Sequence, residues 1–182
     1  MMRRAVFVAL ALCSACTVRR TTVVVPFQAT PPLERAAVTA VNDTGRALPM
    51  PQAGIIEQAV RVLSREPQSE ETISDAFARA AAARLVDRHV SVVPRDTAAA
   101  TQLQVHLTGW DVRDGTSAGG VVFVSADYRL LDAQGTVLWE VKQDRLPVPL
   151  AAPNLSRHEV GRIADASVDA AFASLLPSVR GR

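Results

Sequence analysis

The chain has 182 residues, 20 basic and 18 acidic, with 48% hydrophobic and 4% aromatic positions. Its formal charge of +2 and the absence of a basic run interleaved with aromatics give no support to nucleic-acid binding. Its two cysteines, Cys13 and Cys16, sit at the end of an apolar N-terminal run, outside the strand and helix setting a redox Cys-x-x-Cys needs.

That run begins Met1-Met2-Arg3-Arg4 and continues as uncharged AVFVALALC, Ala5 to Cys13. A short basic segment, an apolar core and small residues make the layout of an export signal. The core falls short of the roughly 20 residues that span a bilayer. SAC, Ser14 to Cys16, resembles the end of the lipobox of bacterial lipoproteins, with Cys13 standing where Leu is usual. Modification at Cys13 would put bulky Leu12 at the cleavage position, and the plain alternative is an exported protein cleaved near Ala15. The resemblance implies a lipid on Cys16, with palmitate among the usual acyl groups, and cleavage just before it. Several acyl chains make a stable anchor where one does not. Thr17, in place of an inner-membrane-retaining Asp, implies the outer membrane, facing the periplasm. Removing Arg3 and Arg4 leaves 18 basic and 18 acidic residues and no thiol other than the lipidated one. Residues 1–15 thus read as signal, 16–34 as lipidated tether and 35–179 as one periplasmic domain.

In the tether, the apolar stretch Val23 to Phe27 reads as a short edge strand, since Pro26 and Pro31-Pro32 exclude a central one. RAAVTAV, Arg35 to Val41, is a strand closed by the turn NDTG. Apolar residues at Ile55, Ile56, Ala59, Val60 and Leu63 predict a helix ended by Pro67. A second helix is expected from about Ser69, with Glu70 and Glu71 in its first turn and Ile73, Ala76, Phe77, Ala80, Ala81 and Leu85 inward. HVSVVP, His89 to Pro94, reads as a short buried strand.

Three antiparallel strands follow, the last two joined by the hairpin turn DAQG. Leu103, Val105 and Leu107, then Val122, Val124, Ala126, Tyr128 and Leu130, then Val137, Trp139 and Val141 form the inner face. The other face mixes Gln104, His106, Thr108, Ser125, Asp127, Arg129, Glu140 and Lys142. One apolar and one polar face is the pattern of a sheet covered by helices on one side. Ser156 to Glu159 fits a capping box opening a last helix, with Val160, Ile163, Ala164, Val168, Ala171, Phe172 and Leu175 buried before Pro177. The expected fold is α+β: a two-layer sandwich of four to five mostly antiparallel strands with helices on one face.

Few motifs carry chemistry. Asp43-Thr44-Gly45 matches the aspartic-protease tripeptide, but that chemistry needs two such aspartates sharing a proton on an all-β frame. His89, His106 and His158 have no metal-ligand spacing, and neither a nucleophile elbow nor a phosphate loop is present. No cofactor, metal or catalytic residue is therefore assigned, and the chain is not read as an enzyme. Alternation puts Val121 and Phe123 on the outer face, with Trp110 beside them. This trio reads either as a partner-binding patch or as a surface covered by the N-terminal strand or the tether.

DAFARAAAARLVD, VSADYRLLDAQGTVLWE and ADASVDAAFASLLPSV, in the span from Val38 to Pro177, resemble a small domain of envelope lipoproteins. The families are the auxiliary lipoproteins of lipid-moving ABC transporters and the curli-secretion and Tol-translocation N-terminal-type domains. The resemblance implies a non-enzymatic accessory or docking subunit of a transport or envelope-assembly complex, held to the membrane by its lipid and partnered by other envelope proteins. The alternatives are a periplasmic carrier of lipid or another amphiphile, and an envelope hydrolase.

Overall fold

The computed structural model describes residues 20–27, 33–44, 72–97, 101–113, 120–151 and 155–175. The elements are β1 (Thr21–Val25), β2 (Arg35–Asn42), α1 (Ile73–Val86), β3 (Ser91–Val93), β4 (Thr101–Arg113), β5 (Val121–Leu131), β6 (Val137–Pro149) and α2 (Arg157–Phe172). The helix expected over Ile55 to Glu66, the signal, Cys16 and Pro177 lie outside the described residues.

One mixed sheet of six strands runs in the order β1-β6-β5-β4-β2-β3, against the expected four to five. The β4-β5-β6 meander is antiparallel as its alternation requires. β2 lies parallel to both β4 and β3, so the sheet is mixed where a mostly antiparallel one was expected. Parallel neighbours need a long return path, and the chain between β2 and β3 includes α1. β3 is exposed where a buried strand was expected: it pairs with β2 alone and is only three residues long, with Val92 39% exposed. The burial belongs to Val90 just before it. β1 is the edge strand anticipated, paired antiparallel with β6.

The helices follow their apolar periodicity. α1 buries Ile73, Ala76, Phe77, Ala80, Ala81 and Leu85, as its spacing predicts. It starts later than expected, because Thr72 and Asp75 form the capping box: Asp75 N donates to Thr72 Oγ1 and Thr72 N to the Asp75 carboxylate. α2 buries its predicted stripe together with Glu159 and Ser167, and both helices share one core cluster with the sheet's inner face. Alanines at the contacts let the helices lie close, and fully buried Trp139, Tyr128, Phe77 and Phe172 fill the bulk of the layer.

α1 ends in paired bonds, Val90 N to Leu85 O and His89 N to Val86 O, with His89 at φ 62° in the position usually taken by Gly. A left-handed conformation strains a residue bearing a Cβ, and exposed His89 has no packing to lose. His89→Gly is expected to raise stability by about 0.5–1 kcal/mol, strain relief exceeding the added unfolded-state entropy. His89→Ala, measured beside it by urea unfolding, is expected to show no such gain.

Candidate functional site

Two β-bulges shape the outer face at one end of the meander. In β4 the register steps between Leu107 and Gly109, so that Leu107 opposes Ala126 but Gly109 opposes Ser125. In β6 it steps between the partners of Val124 and Ala126, and Arg145 takes φ 49°. Both irregularities meet at Ser125, whose Oγ accepts from Arg145 N at 3.0 Å. A Cβ on Gly109 would come 3.0 Å from Ser125 Cβ, so a side chain there would push the strands apart. Glycine permits the close approach the bulge needs.

The β4 bulge corrects one expected site residue. One extra residue reverses the alternation beyond it, and Trp110, paired with Val124, turns to the helix side. Its ring meets Phe77 of α1 edge-to-face, at 6.4 Å between centroids and 78° between planes. Trp110 therefore packs against the core and does not join Val121 and Phe123 on the outer face. A similar step in β6 sets Val137 opposite Leu131, out of the inner row where Trp139 and Val141 lie.

Val121 and Phe123 are half-buried on the outer face, cross-strand from Pro149 and Pro147. The described pairing of β1 with β6 runs to Gln143, with one further bond from Asp144 N to Arg20 O, and both prolines lie beyond it. Phe123 gathers residues that alternation alone did not assign. The guanidiniums of Arg113 and Arg145 stand over its ring, 5.3 and 4.8 Å from the centroid. Asp111 Oδ2 accepts from Arg113 Nε at 3.1 Å and from an Arg145 Nη at 3.3 Å. Arg113 first, and Arg145 behind it, hold the Asp111 carboxyl below the usual carboxylate range. Gly109 within the β4 run and the Pro147/Pro149 pair were the sequence signals that could have revealed this bent end.

Other chemistry-bearing side chains are tied into structural contacts. His106 Nδ1 lies 2.6 Å from Asp43 Oδ2, and Asp43 N donates to Leu107 O, so Asp43 is held just past the end of β2, while Gly45 of the tripeptide lies outside the described residues. Arg129 pairs with Glu140 at 3.0 Å, and Lys142 approaches the same carboxylate at 3.8 Å. Inside, Tyr128 Oη lies 2.9 Å from Ser167 Oγ, which donates to Gln143 Oε1, while Gln143 Nε2 donates to Ser167 O. Burial pushes the Tyr128 phenol well above its usual range, against the weaker opposing pull of Ser167, and keeps it neutral. Among the described residues no group of three or more His, Cys, Asp or Glu is placed to hold a metal ion. No described helix is long and apolar enough to cross a membrane.

No protein-family model matches the chain, and no curated protein matches it in sequence. Solved structures do. The PelC dodecamer from Paraburkholderia phytofirmans is 14% identical with a TM-score of 0.50, the match covering 89% of this chain and 97% of that one. Lipoprotein GNA1162 from Neisseria meningitidis is 15% identical with a TM-score of 0.39, covering 76% and 96% of the two chains. A minor lipoprotein from Acinetobacter baumannii is 10% identical with a TM-score of 0.42, covering 79% and 94%. Solved bacterial lipoproteins are thus among the structural neighbours, and the likeness to PelC shows a shared fold.

Proposed function

We propose that the chain is a lipid-anchored protein of the bacterial envelope that works by association, as an accessory or docking subunit of a transport or assembly complex. The observation that carries this reading is the basic-apolar-SAC leader, Met1 to Cys16, ahead of a domain with the PelC fold. The resemblance of the LLDAQGTVLW hairpin and Ala-rich closing helix to auxiliary transporter lipoproteins points to a transport or secretion system. The pairing of Asp43 with His106, Asp111 with Arg113 and Arg145, and Glu140 with Arg129 supports a structural use of these groups. The outer-membrane side is favoured by Thr17 after the acceptor cysteine.

The test is an in-cell crosslink of the tagged protein followed by mass spectrometry, with Cys16→Ser as the unanchored control. Membrane-transport or secretion subunits recovered with the wild type and lost with the control are the expected result. Bound lipid without a protein partner would replace this reading with that of a carrier. Recovery of its own chain alone, at an oligomeric mass, would turn the reading to a self-assembled scaffold, comparable to the PelC dodecamer.

A further inference from the structure

The chain leaves the sheet at its N-terminal end beside the Phe123 cluster. Asp144 N donates to Arg20 O at 2.9 Å, and an Arg20 Nη donates to Arg145 O at 3.1 Å. Arg20 is thereby fixed next to the residue whose guanidinium stands over Phe123. Cys16 is four residues earlier, and four residues of fully extended chain reach only about 14 Å. A lipid on Cys16 would hold this end of the sheet within one short span of the bilayer surface.

The chemistry exposed there suits that surface. Arg113 and Arg145 keep 63% and 43% of their side chains in solvent, around a half-buried aromatic ring with Val121, Pro147 and Pro149 alongside. Rings with adjacent guanidiniums settle where one side is apolar and the other wet, with the charges drawn to anionic head groups. Asp111 neutralises part of the charge, and exposed Asp144 lies close by, so among the described residues the attraction comes from three arginines against two carboxylates. The opposite end of β5, at Leu131, lies eight residues and about 26 Å away along the strand.

We infer that Phe123, Arg113 and Arg145, with Arg20 beside them, form a membrane-contacting surface that seats the anchored domain on anionic lipid head groups and points the Asp132–Gly135 hairpin away from the bilayer. This orientation rests on the lipid anchor proposed above. It leaves the hairpin end, rather than the Phe123 face, free for envelope partners.

The test uses the lipidated protein purified from membranes and reconstituted in vesicles of phosphatidylethanolamine and phosphatidylglycerol brominated near the head group. Phe123→Trp should lose about half its added emission to the bromines, while Leu131→Trp should be unquenched. Val121→Trp, on the same face, replaces the first variant if that one fails to fold. Quenching should fall when phosphatidylcholine replaces both lipids, and again in the Arg113→Gln/Arg145→Gln double variant. Equal quenching at positions 123 and 131, or a photocrosslink from position 123 that captures protein in place of lipid, would overturn the orientation. Intact mass of the same sample separates the two claims. A preparation without acyl mass on Cys16 overturns anchor and orientation together, whereas a lipidated one without quenching overturns the orientation alone.

Discussion

Phe172→Ala is expected to cost about 4 kcal/mol in urea unfolding, a large share of the roughly 5–15 kcal/mol that keeps a domain folded. The side chain is fully buried at the end of α2 and meets Trp139 edge-to-face at 5.8 Å and 75°. Truncation removes the buried ring, its roughly 1 kcal/mol of aromatic pairing and the surface on which Arg88 rests. The Arg88 guanidinium carbon lies 5.0 Å from the ring centroid, and its Nη groups donate to Phe172 O and Arg84 O. Its Nε is buried with no hydrogen-bond partner among the described residues, and burial lowers the guanidinium's pKa from its ordinary value. Water entering the space left by the ring would reach that Nε, which offsets a small part of the loss. The cavity term wins because the ring is fully buried with Trp139, itself 0% exposed, packed against it, so truncation leaves a space walled by core side chains. Phe172→Leu, which keeps most of the volume, is expected to cost about 1–2 kcal/mol. Equal costs for the two variants would show that the ring's volume and stacking are not what holds the α2 end.

The stripe on which Phe172 sits was legible in the sequence, and so was most of the inner layer. Ile73 to Leu85 and Val160 to Leu175 are buried where a 3.6-residue period puts them, and Val122 to Leu130 where a period of two does. These patterns depend on one element at a time. The features missed depend on two. A bulge is a mismatch in count between partner strands, so the reversal at Gly109 that turns Trp110 inward needs the pairing with Ser125 to be seen. Parallel pairing of β2 with β4 and β3 likewise leaves no mark on β2 itself, whose eight residues read the same in either sense. The candidate site was half legible for the same reason. Val121 and Phe123 follow from alternation, whereas the arginines around them are assembled by two bulges on different strands. The proposed anchor is the reverse case, read from the leader's residues alone and lying outside the described structure.

Glu159 shows how a local motif is diverted by a tertiary one, and it carries the second large expected effect. Ser156 Oγ accepts from Glu159 N at 3.2 Å, which is half of the expected capping box. The other half is absent, because the Glu159 carboxylate turns away from the helix cap to accept from Ala151 N at 2.6 Å and from Arg162. Arg162 in turn donates to Pro149 O, so the pair ties the start of α2 to the end of β6. The carboxylate is nearly sealed, with 3% of its side chain exposed. Glu159→Ala leaves a guanidinium and a backbone amide short of an acceptor and should cost about 3 kcal/mol. Glu159→Gln keeps one acceptor oxygen for Ala151 N but loses the charge and sets a donor NH2 where Oε2 accepts from Arg162 Nε, a loss softened by the solvent that reaches Arg162, and should cost about 1–2 kcal/mol.

The pH dependence follows from the direction of the shift. Arg162 first, then the Ala151 amide, hold the Glu159 carboxyl below its ordinary value against the cost of burial. A carboxyl depressed in the folded state contributes stability that is fully present above its unfolded value, about 4.3, and is lost as pH falls through the lower folded value. The stability gap between wild type and Glu159→Gln should therefore be constant near neutrality and shrink on acidification below about pH 4, as the wild type protonates and the amide does not. Unfolding curves of both proteins from neutral to acid pH read this directly. A gap that stays constant to the acid limit would mean that the charge on Glu159 contributes nothing, and that shape and the Ala151 bond alone hold β6 to α2.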